Sequence, residues 1–381
     1  MNSQTSLSPI EILDQLSRTG VFDHLSATEV KALRQRVPAH LSGTTHDIAL
    51  AILAQSNAVL FWLPKLAGAI ENPGDYLPHL ERLRDISGDA FHFTEFDAEF
   101  VDVPHRIAAI RKRTLVRFVA NEQPYEFMLF TGEKGVFDNY TWHYLNRVLA
   151  DSGAQSRFYG LADSSSEAEP SIFNPIVFLT ADQYEAISEL GFVKIWRSNA
   201  WSTMQILGLI DELSGIGLFS HLSAQEIARA QRQLMRGYVN SPLAVVAAFP
   251  NLVHRFDAEM VYDPAEDYAR LIQGAMGISR GVFEPHHVIV DLSSDDAHMG
   301  ISFTYAGINF ARKLEHRGSS DWVDFEYCRM INQALEETGT NGRLYTLETG
   351  DQTAALVFLT DSQFALIEQR SLLPLSNYQY L

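Results

Sequence analysis

Two pairs of carboxylates in this chain of 381 residues stand at positions i and i+2: Asp97 with Glu99, and Asp257 with Glu259. On a β-strand such side chains share one face of the sheet, about 7 Å apart. That separation suits two carboxylates in general acid–base chemistry, and it suits a solvated strand face equally well. Because the acidic pair recurs, we keep all four residues as candidates for binding a partner.

A second group of potential ligand residues lies between positions 286 and 298. It comprises His286, His287, Asp291, Asp295, Asp296 and His298. Neighbouring residues on a strand point to opposite faces, so the first two histidines cannot bind one ion from the same strand. The segment from Ser293 to Asp296 is typical of a polar hairpin turn. The sequence therefore predicts no metal site, and Asp295 and Asp296 join the candidate partner-binding residues.

The segment Gly277-Ile-Ser-Arg-Gly281 matches the nucleophile pattern of serine hydrolases. In that pattern the serine sits on a turn that leads from a strand into a helix. Here the order is reversed, because a predicted helix opened by Asp263 and Pro264 comes first and a predicted strand follows. Ser279 is thus predicted to end a helix. We predict no catalytic residue and, with no glycine-rich nucleotide motif, no cofactor.

The chain repeats itself in order. Gly20-Val-Phe-Asp-His-Leu-Ser-Ala-Thr-Glu29 returns as Gly217-Leu-Phe-Ser-His-Leu-Ser-Ala-Gln-Glu226, and Phe96-Asp-Ala-Glu99 as Phe256-Asp-Ala-Glu259. Further matches join Asn146 to Asn332, Tyr159 to Tyr345, and Val177–Thr180 to Val357–Thr360. The repetition predicts two tandem diverged copies, a first domain over 1–195 and a second over 203–381.

Local signals predict the elements that position these residues. Capping boxes predict helix starts, and alternating apolar residues predict strands. Each copy is predicted to be α+β, with a helical front followed by a ββαββα unit that forms an antiparallel sheet. The first copy is predicted to carry extra chain over about 57–86, and the second over 282–291. The predicted core includes Phe96, Phe118, Phe178, Phe303, Phe310, Leu335 and Phe358.

The charge and composition of the chain argue against some classes of partner. The chain has 29 basic and 47 acidic residues, a net charge of −18, and both halves are acidic. Phosphate neutralisation needs clustered Lys and Arg, so a nucleic-acid partner is not expected. No apolar stretch is long enough for a membrane span, the start lacks a signal core, and one cysteine excludes a disulfide framework. We therefore expect a cytoplasmic protein with no membrane partner.

The acidic α+β character and the aromatic hairpin over 343–351 resemble bacterial toxin-immunity proteins. The resemblance implies a non-enzymatic inhibitor that neutralises a basic toxin or effector through an acidic surface. It rests on no family motif, so no residue roles are carried over. The alternative is a hydrolase or other enzyme that uses the paired carboxylates with nearby histidines. For binding, the second copy is preferred because it carries the larger negative charge.

Overall fold

A computed structural model of the chain describes residues 7–37, 43–56, 59–60, 70, 72–101, 112–131, 141–162, 175–191, 193–292, 298–315 and 322–376. The chain forms two compact units. Unit 1 comprises 1–204 with 235–238, and unit 2 comprises 205–234 with 239–381. Among the described residues, no helix is long and apolar enough to cross a membrane.

Unit 1 alternates helices and strands. Its helices are α1 (Pro9–Arg18), α2 (Ala27–Arg36), α3 (Thr45–Gln55), α4 (Tyr76–Ile86), α5 (Thr141–Asp151) and α6 (Ala181–Leu190). Its strands are β1 (Val59–Leu60), β2 (Thr94–Val101), β3 (Lys112–Ala120), β4 (Gln123–Thr131), β5 (Ser156–Ala162), β6 (Ile176–Thr180) and β7 (Lys194–Arg197). Short 3₁₀ turns flank α4.

Unit 2 has a comparable set. Its helices are α7 (Thr203–Gly215), α8 (Ala224–Arg236), α9 (Pro242–Val246), α10 (Pro264–Ser279), α11 (Glu326–Glu337) and α12 (Asp361–Arg370). Its strands are β8 (Val253–Asp257), β9 (His286–Leu292), β10 (His298–Tyr305), β11 (Ile308–Glu315), β12 (Arg343–Leu347) and β13 (Thr353–Leu359). The first two residues of α7 and the last two of α8 cluster with unit 1.

The helix starts follow the capping signals. At five of the described starts a Ser or Thr is followed three residues on by Glu or Gln; it accepts the backbone N–H of that residue, whose side chain accepts the N–H of the capping residue. These reciprocal pairs are Ser8–Glu11, Ser26–Glu29, Thr180–Gln183, Ser223–Glu226 and Thr360–Gln363. Each satisfies two N–H groups that a helix N-terminus leaves without an intrahelical partner.

The mixed helix-and-strand class is α+β with antiparallel sheets, but each unit has two small sheets where one was predicted. Unit 1 has β1-β6-β5-β7 and β2-β3-β4; unit 2 has β8-β13-β12 and β9-β10-β11. In unit 1 the reason lies in α5. Its Leu145 and Val148 share one buried cluster with Phe127 of β4 and Phe158 of β5, so the helix packs against both sheets.

The two Phe-Asp-Ala-Glu segments lie in different elements, which corrects their alignment. The first lies within β2, whereas the second spans the end of β8. Strand β8 pairs with β13 at Val253 and Val357, as β1 pairs with β6 at Val59 and Val177. Both segments bury Phe and Ala at least partly while an acid points outward. The same four residues therefore suit two topologically different places, because both places need alternate apolar and acidic side chains.

The predicted chain insertions also need correction. The stretch over 282–291, predicted to be extra, contains most of β9, which occupies the same position beside β10 as β2 does beside β3. Within the stretch over 57–86, α4 precedes β2 as α10 precedes β9. The described parts of both stretches therefore have counterparts in the other unit. Over the described residues the named helices and strands follow the same order in both units, except that unit 1 has the additional strand β7.

Several side-chain contacts occur in both units. In unit 1 the Asn146 amide donates to the Phe158 carbonyl (2.8 Å) and accepts its N–H (2.7 Å). In unit 2 Asn332 holds Leu344 in the same way, at 3.0 and 2.8 Å. Gln183 donates to the Gly20 carbonyl at 2.6 Å, and Gln363 to that of Gly217 at 3.2 Å. Tyr159 stacks on Tyr184, and Tyr345 stacks on Phe364.

Most of the predicted core is buried. Phe118, Phe303, Phe310, Leu335 and Phe358 are at most 6% exposed. Phe96 and Phe178 are half-buried and pack against the edge of the unit 1 core.

Helix α10 extends through Ser279, which is 1% exposed. Its hydroxyl donates to the Met276 carbonyl (2.8 Å) and accepts the Phe283 N–H (3.0 Å). Arg280 follows in the left-handed conformation. Ser279 therefore ends the helix as predicted.

Two glycines of α10 differ in their surroundings, which allows a test of its packing. A Cβ at Gly277 would meet nothing, whereas one at Gly274 would overlap the His254 ring. We expect Gly277→Ala to raise the free energy of unfolding by about 0.4–1 kcal/mol. Gly274→Ala is expected to lower it by about 1–3 kcal/mol through overpacking. Urea denaturation of the full chain measures both, and shifts of the same sign would contradict the described packing.

Candidate functional site

The first acidic pair lies on the exposed face of β2, as the alternation predicted. Across the sheet, Arg117 stands directly opposite Asp97 on one side and Glu126 on the other. The Arg117 guanidinium donates to Asp97 and Glu126, both at 2.9 Å, and to Glu99. Glu126 also accepts from Arg236 at 2.7 Å. Asp97 and Glu99 therefore belong to a charge ladder centred on an arginine.

The electrostatics of this ladder oppose a role in proton transfer. Hydrogen bonds to Glu99 and Glu126 raise the pKa of Arg117. Burial alone would raise the pKa of Glu126, but hydrogen bonds from Arg236 and Arg117 outweigh it and lower the pKa. A general acid at neutral pH needs a raised pKa. The ladder instead keeps Glu126 ionised.

The second acidic pair has a different geometry. Asp257 is the last residue of β8, and its carboxylate accepts the Glu259 backbone N–H at 3.0 Å. Glu259 lies beyond the strand, so the two side chains do not share a strand face. The predicted arrangement, two carboxylates on one face of a strand, is therefore found for Asp97 and Glu99 and not for Asp257 and Glu259. Asp257 and Glu259 instead flank a turn at Ala258.

Ala258 joins two other segments of unit 2. Its N–H donates to the Gln352 carbonyl (3.0 Å) at the tip of the β12–β13 hairpin, and its carbonyl accepts the Val323 N–H (2.8 Å). These segments enclose a cavity of about 650 Å³, which we name the hairpin groove. Its lining comprises Ala258, Trp322, Val323, Phe325, residues 346–355 and Ser376. Its volume lies within the range of ligand-binding clefts.

The lining is apolar with an acidic rim. Glu348 and Asp351 are the two charged residues among the described residues that line it. Hydrogen bonds from Thr353 lower the pKa of Asp351 and keep it anionic. Trp322 is 53% exposed. Thr346 is 9% exposed, and its buried hydroxyl has no hydrogen-bond partner within the described chain.

The histidine-containing stretch over 286–298 forms no comparable site among the described residues. His286 and His287 lie in the exposed part of β9, and His287 has a positive φ of 53° where the register with β10 shifts. His298 begins β10, and Asp295 and Asp296 lie outside the described residues. Over the described ranges, no three His, Cys, Asp or Glu side chains group closely enough to hold a metal ion.

Sequence reasoning missed the groove because its lining comes from separated segments. A usable signal was present in Glu348 and Asp351, which bracket the turn at Gly350. Trp322 was the other signal, since this large aromatic residue directly follows the polar stretch over 315–321.

Comparison with known proteins found no matching family model, no matching curated protein and no matching solved structure.

Proposed function

We propose that the chain is a non-enzymatic binding protein whose hairpin groove takes a basic segment of a protein partner. The observation that carries the proposal is the groove itself, an apolar cleft in which the two charged residues of the described lining, Glu348 and Asp351, are both acids. Asp257 and Glu259 add negative charge on either side of Ala258. Arg255 lies near Asp351 and donates to the Thr353 hydroxyl at 3.3 Å, so one basic side chain of the chain itself stands beside these acids.

The net charge of −18 supports the same class of partner. A strongly acidic protein attracts basic surfaces at long range and increases the rate of their encounter. An inhibitor of a basic toxin or effector in the cytoplasm, which the resemblance to immunity proteins implies, would use such steering. The enzyme alternative draws no comparable support, because Asp97 and Glu99 are both engaged by Arg117.

We infer also that the two units are diverged copies of one domain. The matching order of elements supports this, and so does the matching register of β5–β6 and β12–β13, where Tyr159 faces Val177 and Tyr345 faces Val357. The Asn and Gln contacts to equivalent backbone groups add independent support. On this proposal, binding at the groove belongs to the second copy.

The binding proposal predicts a charge-specific effect at the groove. A fluorescein-labelled peptide of alternating Lys and Gly should bind the full chain, with affinity that falls steeply as salt rises. Glu259→Lys with Glu348→Lys should weaken binding about tenfold or more, a loss of about 1.4 kcal/mol. Fluorescence anisotropy at low and physiological salt measures both effects.

A matched control separates the effect of charge at the groove from the effect of overall charge on affinity. Glu284 and Glu336 are exposed in unit 2, and neither lines the groove. Glu284→Lys with Glu336→Lys makes the same change in net charge and should alter affinity by less than about twofold, since exposed charges away from a site contribute little. Equal losses in the two double variants, or no binding by the wild-type chain, would contradict the proposal.

A further inference from the structure

The sheet β9-β10-β11 of unit 2 has one face against the core and one face turned outward. Ile301 and Phe303 of β10 are buried in the core, so Gly300 and Ser302, which alternate with them, lie on the other face. An open depression of about 370 Å³ lies there, lined by Asp291 and by residues 300–302 and 311–313. We name this side of the sheet the outer sheet face, and it carries Ile289, Asp291, Gly300, Ser302, Ala311 and Lys313.

Two opposite charges stand at the two edges of the outer sheet face. Gly300 of the central strand pairs with Asp291 of β9 on one side and with Lys313 of β11 on the other. Asp291 and Lys313 therefore lie in one row, separated by two strand spacings, or about 9–10 Å. Both are exposed, and neither forms an ion pair within the described chain. Both charges are thus available to a partner.

The next row of the face has a large side chain at one edge and a small one at the other. Ser302 pairs with Ile289 on β9 and with Ala311 on β11. Ile289 is 51% exposed and projects from the surface, whereas Ala311 leaves space above the opposite edge. Facing surfaces interdigitate when a large side chain of one meets a small side chain of the other.

A two-fold axis along β10 would make the outer sheet face complementary to itself. Rotation by 180° about this axis exchanges the β9 and β11 edges and keeps each row in place. Asp291 of one copy then faces Lys313 of the other, and Ile289 of one copy faces Ala311 of the other. Packed sheets lie about 10 Å apart, a gap that a long Lys and a short Asp bridge together. Self-complementarity of this kind is what an interface with two-fold symmetry requires.

Overall charge favours a second copy at this face over a basic partner. The chain has a net charge of −18, so two copies repel one another on average. The outer sheet face carries one acid and one base, whose charges cancel. It is therefore a surface on which two acidic copies can approach, and it offers no net attraction to a basic protein.

The outer face of the sheet β2-β3-β4 in unit 1 provides a contrast. There the central strand carries Arg117, which binds Asp97, Glu99 and Glu126. The charges of that face are paired within the unit, whereas those of Asp291 and Lys313 are not. The face in unit 2 is therefore the one suited to a second copy.

We propose that two copies of the chain associate through their outer sheet faces, with Asp291 of each copy paired to Lys313 of the other. From strand spacing and rise, the face covers about 300–400 Å² per copy, below the roughly 800 Å² per partner of a standard interface. The dimer is therefore weak, with a Kd of roughly 10–100 µM. The proposal does not depend on the hairpin groove.

Sedimentation equilibrium of the full chain at about 5–500 µM, a range that brackets this Kd, tests the proposal. The wild-type chain should pass from monomer to dimer. Asp291→Lys opposes two bases in each pair, and Lys313→Asp opposes two acids, so each should weaken dimerisation at least about tenfold. Glu336→Lys matches the charge change of Asp291→Lys at an exposed position on α11, which packs on the inner face of the sheet, and should leave the Kd within about threefold.

Complementary variants identify the pairing itself. In a mixture of the Asp291→Lys chain and the Lys313→Asp chain, each pair again joins one acid to one base. Heterodimers should therefore form with near wild-type affinity, and the double variant Asp291→Lys with Lys313→Asp should self-associate again. Fluorescence-detected sedimentation of one labelled variant measures the heterodimer. A wild-type chain that stays monomeric at about 500 µM would overturn the proposal. So would a dimer that is unaffected by both single variants, or a mixture that does not recover association.

Discussion

Replacing Phe358 with Ala is expected to lower the free energy of unfolding of unit 2 by about 3–5 kcal/mol. Phe358 is 3% exposed and stands opposite Leu344 in the sheet, inside the main core cluster of the unit. Its ring also lies against the backbone at Gly342, where no Cβ would fit. Truncation therefore removes buried apolar surface and leaves a cavity in a closely packed region.

Thermal melting of the full chain measures the loss, and hydrogen–deuterium exchange of the β12 and β13 amides assigns it to unit 2. Phe178 of unit 1 is the matched position, and it is only half-buried. Phe178→Ala should therefore cost distinctly less, because less surface is transferred to water. A melting shift near zero for Phe358→Ala would show that the described strand phase is wrong.

Replacing Asn332 with Ala is expected to lower the free energy of unfolding of unit 2 by about 2–6 kcal/mol. The Asn332 amide satisfies both the N–H and the carbonyl of Leu344, and the residues on both sides of these bonds are buried. Alanine leaves one donor and one acceptor without partners, and each such group costs about 1–3 kcal/mol. Asn146→Ala removes the same two bonds to Phe158 and should cost a similar amount in unit 1.

Chemical denaturation of the full chain, with exchange data to separate the units, measures the two variants. Asn309 is exposed beside the β10–β11 turn. Asn309→Ala should change stability by less than about 0.5 kcal/mol, as is usual for surface positions. A clear loss in one unit together with none in the other would count against common ancestry of the two contacts. No loss in either would show that water replaces the amide.

Local features of the fold were predictable and long-range pairing was not. The turn at Ala306 and Gly307 was predicted from its residues, and both have the positive φ that a tight hairpin requires. Helix α6 spans Ala181–Leu190 as its capping box predicted. The pairing of β8 with β13 has no local signal, because partners such as Val253 and Val357 lie far apart in the chain. The division into two sheets per unit was therefore missed.

In the candidate site, too, local features were predictable and contacts between distant segments were not. Alternation was enough to place Asp97 and Glu99 on one exposed strand face. The guanidinium that holds them comes from the neighbouring strand, and its register could not be derived from sequence. At Asp257 the strand ends in a turn. Its carboxylate therefore accepts a backbone hydrogen bond within that turn and does not share a strand face with Glu259. The groove depends on three segments that meet only in the folded unit.

The hydrogen bond from Gln183 to the Gly20 carbonyl joins residues 163 positions apart, which has a consequence for folding during translation. Residues of α1, α3, β5, β6 and α6 form one buried cluster, so the first helices of unit 1 complete their packing only with the last. At about 5–20 residues per second, a ribosome needs roughly 8–33 s to add the intervening chain. During that interval Ile12, Leu16 and Ile52 lack the part of their packing that β5, β6 and α6 supply. Unit 1 therefore closes only after α6 has been made, about halfway along these 381 residues, and its first helices are a segment that chaperones could bind until then.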